Sequence, residues 1–383
     1  SRASGSRGRA HPSPAWPAHA AGGGVGSMPA GPRSAPGDGA GRTVAVTGAT
    51  GFIAAFVVEE LLQRGWTIHG TVRDLACTAK LEPLLALPGA RERLHLFEAD
   101  LLGGSEAFLP CLHGCAACVH TAAPLDISVD GAVRWTSAVE AVAAQVRPAV
   151  AGTESVLLAC AENGVRRVVL TSSLSAVGTA RRPFSVLDET CWSDEAYLEE
   201  QLLEDASAAY ELAKTRQERL AWALAEEHAL DLRVICPALV FGPLLTRHLN
   251  FSHAVLASVL RGLGSPFRAP APRGLIQNAV VPMVDVREVA AAHVLALERD
   301  DAHGRYLLMS ACPHYADVCA AASRAFPLLP VPTAVAGERE EAFVHVGPVA
   351  FDCGKMRALG VPPVAWEDSI GKSVEALIEL GHL

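Results

Sequence analysis

The chain has 383 residues, half of them hydrophobic, and a formal charge of −9. That length suits one large α/β domain with a smaller lobe, or two domains. The first 42 residues hold five Arg and one acid, which leaves −13 on the remainder, and an acidic body argues against nucleic acid or an anionic membrane as the main partner.

Residues 1–41 are rich in Gly, Ala, Pro, Ser and Arg and show no hydrophobic periodicity, so they are expected to be a disordered tail. Two readings of the tail stay open. Met28 is the true start, leaving a short flexible leader, or the Arg-rich, acid-poor tail belongs to an organelle transit peptide. The first is favoured, and with it a cytoplasmic protein. Residues 107–125 carry no Asp, Glu, Lys or Arg, but Pro110, Gly114 and Pro124 interrupt them, so no membrane span is expected.

From Thr43 strand and helix patterns alternate. Apolar runs predict strands over 43–47, 66–72, 93–98, 116–120, 166–172, 231–236 and 305–309. Helical periodicity predicts helices over 52–63, 132–163 with a break near Pro148, 200–228 and 286–299. This alternation specifies a Rossmann-type, doubly wound parallel sheet of about seven strands, formed by residues 42–383. The segments 174–200, 240–282 and 311–383 are richer in Pro and Gly. They are expected to form a smaller substrate-binding lobe over the open side of a cofactor.

The first strand runs into Gly48-Ala49-Thr50-Gly51 and then into a helix. Such a strand–turn–helix unit binds a dinucleotide. Gly48 allows the sharp turn, Gly51 lets backbone approach a pyrophosphate, and small Ala54 lets the helix pack close to the sheet. The unpaired N–H groups at the helix start meet the phosphate charge. The second strand ends in Thr71-Val72-Arg73-Asp74, with Lys80 following. An acid at this place holds a ribose 2′-hydroxyl, whereas a cation holds a 2′-phosphate. Arg73 and Lys80 together predict NADP(H), and Asp74 keeps NAD open. Asp100, in F-E-A-D-L-L, is placed to bond an adenine amino group or to cap a helix.

Tyr210 and Lys214 lie four apart in a helical stretch and so share a face. A phenol titrates near ~10, and a neighbouring ammonium lowers that value. The pair can therefore move a proton to or from a carbonyl oxygen. A strand ends upstream in Thr171-Ser172-Ser173, whose hydroxyls can donate to the same oxygen. Ten scattered cysteines suit a reduced protein. Cys111, Cys115 and Cys118, with His113 and His120, raise the question of zinc. The stretch enters a strand, where alternate residues face opposite ways, so buried thiols are the preferred reading and no metal is expected.

The chain resembles the extended short-chain dehydrogenases/reductases, most closely the dihydroflavonol 4-reductase and cinnamoyl-CoA reductase group. The pieces that carry the resemblance are V-T-G-A-T-G-F-I-A, G-T-V-R-D, V-H-T-A-A-P, R-R-V-V-L-T-S-S, D-E-T-C-W-S-D, Y-E-L-A-K, P-A-L-V-F-G-P and V-D-V-R-E-V-A-A-A-H. It implies an NADPH-dependent reductase of an aldehyde or ketone. In it Ser173 holds the oxygen, Tyr210 is the general acid, and Lys214 tunes the tyrosine and holds the nicotinamide ribose. It also implies that Gly48, Phe52 and Ile53 contact the pyrophosphate, Arg73 and Lys80 the 2′-phosphate, and Pro237 and Val240 the nicotinamide. Gly51, Asp100, Leu101 and Thr121 complete the expected cofactor contacts.

Departures from the pattern fall at the substrate end. The stretch N-W-Y-C-Y-G-K is absent, and Gly178 stands where the dihydroflavonol reductases place an Asn. The spacing from Pro124 to Gly152 is long. The region 244–282, with His248, His253, Phe267 and Arg268, is the chain's own, and both histidines are read as packing or loop residues. The reaction therefore carries over and the substrate does not. An apolar or aromatic small-molecule carbonyl is expected, with a monomer or homodimer as the assembly. Two alternatives stay open. One is an NAD-dependent hydroxysteroid or sterol dehydrogenase, or sugar-nucleotide epimerase. The other is a non-catalytic NADP-binding regulator.

Overall fold

A computed structural model describes residues 41–124, 135, 137–265, 272–337 and 350–383. The expected disordered tail, apart from Gly41, lies outside these residues, as do Phe267 and Arg268. The elements run β1 (Thr43–Thr47), α1 (Phe52–Gln63), β2 (Thr67–Val72), α2 (Thr78–Leu85), α3 (Ala90–Arg93), β3 (Leu94–Glu98), α4 (Leu109–Leu112) and β4 (Ala117–His120). Then come α5 (Ala138–Ala141), α6 (Arg147–Glu162), β5 (Arg167–Thr171), β6 (Val186–Leu187), α7 (Glu195–Glu204), α8 (Ala209–Glu227), β7 (Asp231–Pro237) and β8 (Leu239–Phe241). The chain continues through α9 (Phe251–Leu260), β9 (Met283–Asp285), α10 (Val286–Glu298), β10 (Gly304–Leu308), α11 (Tyr315–Ala325), β11 (Ala350–Phe351), α12 (Gly354–Leu359) and α13 (Trp366–Glu379).

Seven parallel strands form one sheet in the order β10-β7-β5-β4-β1-β2-β3. Nearly all positions of β1, β4 and β5 are buried and most are apolar, because helices cover both sides of a parallel sheet, while the edge strand β3 leaves His95 exposed. The chain leaves β1 toward β2 and β3, then returns to place β4 on the other side of β1. The order reverses there, and the crevice at the carboxyl ends of β1 and β4 is the binding position of such sheets. The register brings Thr47 beside His120, and Thr171 beside Ile235. The strand ends that carry Gly48, Thr121 and Ser173 therefore open on one edge.

Two smaller cores sit on this layer. One gathers Phe241, Val255, Val259, Val281, Tyr315 and Val374, and makes α9, α11 and α13 a lobe beside the sheet. The other packs Trp135, from the long 124–152 spacing, with Leu198, Leu202 and Leu212 of α7 and α8.

Two helix expectations need correction. The helix over 132–163 has no break at Pro148. From Ala138 it runs through a π-wound turn, Val142–Val146, straight into α6, and Pro148 stands in the first turn of α6. The wider turn accommodates the ring and the missing N–H. The helix over 200–228 is two helices. Asp205 is extended at φ −141° and ψ 111°, and its carboxylate accepts from Ser207 N at 2.8 Å, starting a new turn. A local cap thus outweighs the helix propensity of Ala206-Ser207-Ala208.

Candidate active site

The glycine turn is a cradle with no room for side chains. Gly48 has φ +66°, and a Cβ there would lie 3.1 Å from that of Ala122. Its N–H donates to Thr71 Oγ1 at 3.0 Å, and Ala49 N donates to Thr71 O at 2.8 Å, which folds the turn onto β2. Gly51 is the N-cap of α1 and supplies no side-chain cap. The amides at the start of the helix, Phe52 and Ile53 among them, are left for an anion. Ala54 is buried at 2% exposure behind them.

The other expected cofactor contacts line the same edge. Thr121 Oγ1 donates to Thr47 O at 2.5 Å and closes β4 against β1. Asp100 is exposed with Oδ1 accepting from Leu102 N at 2.8 Å, which leaves its second oxygen open. Leu101 packs onto α6 at Gly152, where a Cβ would meet it at 3.0 Å. Arg73 follows β2 directly and is exposed, and Lys80 lies in the first turn of α2. Asp74 Oδ1 accepts from Ala76 N at 2.7 Å. Pro237 ends β7 and Val240 lies in β8, its N–H donating to Ser252 Oγ at 3.1 Å. The built-in turn, the open helix start and the free cation after β2 fit a dinucleotide.

Ser173, Tyr210 and Lys214 come together at the end of β5. Ser173 caps a short 3₁₀ turn, Leu174–Ala176, its Oγ accepting from Ser175 N at 3.1 Å. That bond fixes the oxygen, and the Ser173 side chain lies close enough to Tyr210 to draw the phenol's pKa downward. Lys214 is buried, and its Nζ donates to Thr171 O at 3.3 Å. Burial pushes Lys214 down to about 8, while Cys236 and Glu218 pull it back upward. The expected lowering of the Tyr210 pKa does not occur. Burial raises it, and Ser173 only partly offsets that. The phenol therefore keeps its proton, which suits a general acid. Glu211, beside it, has a buried Oε2 with no partner, and burial pushes the carboxyl up to about 7.

Several residues outside the sequence expectations hold this arrangement. Ala122 N donates to Thr47 Oγ1 at 3.1 Å, and Thr47 Oγ1 lies 2.8 Å from His120 Nδ1. His120 Nε2 lies 3.2 Å from Thr153 Oγ1, which also accepts from Gln217 Nε2 at 2.7 Å. A neutral ring with its hydrogen on Nε2 satisfies every partner. Burial first, then the Lys214 charge, pushes His120 down to about 3. This chain ties the ends of β1 and β4 to α6 and α8. His293 does the same for β5, with Nε2 at 2.7 Å from Thr171 Oγ1 and Nδ1 at 2.8 Å from Val289 O. His253 is buried, packs edge-on against Phe52 at 5.2 Å between ring centroids, and bonds Gly242 O at 2.9 Å. It thus joins the lobe to the glycine turn as a packing residue. His248 lies near Lys80, burial and then that charge holding its pKa down. A histidine inside V-H-T-A-A-P was the one sequence signal for this layer.

The cysteines are free; Cys111 in α4 and Cys118 in β4 are buried, and Cys115 lies between the two elements, half-buried. Burial pushes Cys115 up to about 12 and raises Cys111 as well, so these thiols are poor nucleophiles and ligands. Among the described residues no group of three or more His, Cys, Asp or Glu could hold a metal ion. No helix among them is long and apolar enough to cross a membrane.

A seven-stranded Rossmann sheet with a glycine cradle and a Ser–Tyr–Lys cluster defines a nucleotide-dependent oxidoreductase class. Residues 44–308 match the NAD dependent epimerase/dehydratase family. The chain is 37% identical to cinnamoyl-CoA reductase 1 of Petunia hybrida over 90% of its own length and 94% of that protein. Vestitone reductase from alfalfa superposes with a TM-score of 0.71 at 26% identity, covering 89% of this chain and 99% of that one. Gre2 from Candida albicans, in complex with NADPH, gives a TM-score of 0.71 at 28% identity, with 88% and 99% coverage. The chain belongs to the NAD dependent epimerase/dehydratase family, among the extended short-chain dehydrogenases/reductases of the cinnamoyl-CoA and dihydroflavonol reductase type. It is accordingly an NAD(P)H-dependent reductase in the general sense, acting on carbonyl groups.

Proposed function

We propose that the protein is an NADPH-dependent reductase of apolar or aromatic aldehydes and ketones, working through Ser173, Tyr210 and Lys214. The observation that carries this reading is the Ser173–Tyr210 hydroxyl pair, set with Lys214 where β5 opens beside the glycine cradle. When bound, the cofactor supplies the hydride that the carbonyl carbon accepts. Ser173 donates to the carbonyl oxygen and orients it, since its own oxygen is already held by Ser175 N. Tyr210, whose phenol burial keeps protonated, gives that oxygen its proton. Lys214, one turn along α8 from Tyr210, would place positive charge near the phenolate that forms and would hold the nicotinamide ribose.

Gly48, Gly51, Phe52 and Ile53 would hold the pyrophosphate through backbone amides. Asp100, Leu101 and Thr121 would flank the adenosine half, and Pro237 and Val240 the nicotinamide. Selection of NADP(H) is supported by the exposed Arg73 and by Lys80. The relatives named for cinnamoyl-CoA and vestitone reduction support an aromatic substrate. The test is a panel of aromatic aldehydes, ketones, flavonoids and acyl-CoA thioesters followed by NADPH absorbance. Oxidation of NADPH by members of the panel is expected. Tight NADPH binding with no oxidation by any of them would point instead to a sensor.

A further inference from the structure

Behind Ser173 lies a buried ion pair that the reaction itself does not use. Arg305, on β10, donates from Nε to Glu218 Oε1 at 2.6 Å, with 7% and 0% of the two side chains exposed. Glu218 lies four residues beyond Lys214 and eight beyond Tyr210, on the same face of α8. Its Oε2 accepts from Ser172 Oγ at 2.6 Å, and its Oε1 also accepts from Trp222 Nε1 at 3.2 Å. Nη2 donates to Glu218 Oε2 at 3.3 Å as well, and the other bonds of the guanidinium go to main chain. Nη1 donates to Glu189 O at 3.0 Å and Cys191 O at 2.5 Å, and Nη2 to Ala176 O at 3.4 Å. The Trp192 ring stacks 3.9 Å from its centre.

Taking two charges out of water costs about as much as their attraction returns, so apolar side chains would serve stability as well. What this pair adds is geometry. Ser172 is held by Glu218 on one side of Ser173, and Ala176 by Arg305 on the other. The same guanidinium holds the 189–191 main chain against that turn, where Ser193 N also donates to Ala176 O at 3.0 Å and Ser193 Oγ to Ser175 O at 2.8 Å. A planar fork can hold three carbonyls and a carboxylate at once, and an ammonium cannot.

We propose that Arg305, acting through Glu218, is a positioning residue for carbonyl reduction, fixing the 172–176 turn so that the Ser173 hydroxyl meets the carbonyl oxygen. The proposal rests on the assignment of Ser173 above. Arg305→Lys keeps the charge and loses the fork, so it separates positioning from charge pairing. With NADPH and trans-cinnamaldehyde as the probe, Arg305→Lys should lower kcat roughly 10- to 100-fold. NADPH affinity, read by fluorescence titration, should stay within about twofold, because the cradle is untouched. Ser172→Ala, which removes the link to Glu218 with less risk to folding, should lower kcat in the same direction with NADPH affinity unchanged. Ser173→Ala is the control: wild-type turnover in that variant would overturn the site assignment itself. Loss of turnover in Ser173→Ala, with kcat kept in both Arg305→Lys and Ser172→Ala, would overturn the positioning role alone.

Discussion

The glycine cradle and the Ser173 wall face each other across one crevice, yet they are built in opposite ways. Every group of the cradle comes from the unbroken run of β1, turn, α1 and β2, and what matters there is backbone: a positive φ at Gly48 and open amides at the start of α1. The wall is assembled from distant pieces. Ser172 meets Glu218 across 46 residues, and Arg305 meets Cys191 across 114. The cradle is defined by the absence of side chains, and the wall by side chains that each hold several partners. A cradle of this kind serves any dinucleotide, whereas the wall decides what chemistry follows.

The largest effects should fall on the wall. Tyr210→Phe removes the proton donor and should cut turnover by ~10²–10⁴-fold, with NADPH binding unchanged by fluorescence titration. A matching loss of binding would mean that wall and cradle are not separable. At the cradle, Arg73→Ala removes a charge-assisted contact of about 1.5–3 kcal/mol, so KM for NADPH should rise roughly 10- to 100-fold. KM for NADH should barely move, and an equal rise for both would break the NADP(H) assignment.

The polar layer that joins the two regions makes a third prediction. His120, His253 and His293 are held neutral, with pKa values pushed down to about 3, 4 and 4, chiefly by burial. The unfolded chain takes up protons at about 6.5, before these folded groups do. Stability is therefore full above about pH 6.5 and falls as pH drops toward 4, each ring contributing on the order of a few kcal/mol to the loss. Thermal melts from pH 7.5 to 4.5 should show a steady fall in Tm, and a flat profile would count against the neutral network. The smallest effect concerns Glu211, whose carboxyl is raised to about 7 by burial. Such a group loses stability as pH rises from about 4.5 to 7. Glu211→Gln should then stabilise the fold by about 1 kcal/mol at pH 8, and not at pH 4, as read from urea unfolding.

The same contrast explains what the sequence revealed. The helix over 52–63 and the seven strands were readable because each is a local pattern of buried positions. The cradle was readable because glycine is needed only where backbone is constrained. The helix over 200–228 was read as one because its break comes from a side-chain cap at Asp205, not from a poor helix former. The lobe helices α9, α11 and α13 sit in segments whose Pro and Gly content hid them. The Tyr210–Lys214 spacing showed which groups meet, but the direction of the phenol's shift depends on burial, which spacing does not report. Nothing local to Arg305 marks it, because its partners come from three separate segments.

The central claim is that this site passes hydride to a carbonyl and that Tyr210 completes the reduction. The most direct test is a single-turnover reaction of the full chain with NADPH carrying deuterium at the transferable position of nicotinamide C4 and trans-cinnamaldehyde, analysed by mass spectrometry. The alcohol made by the wild type should carry one deuterium, and Tyr210→Phe should form that labelled alcohol at least ~10²-fold more slowly under the same NADPH saturation. Unlabelled alcohol from the wild type, or labelled alcohol formed at the wild-type rate by Tyr210→Phe, would contradict the account.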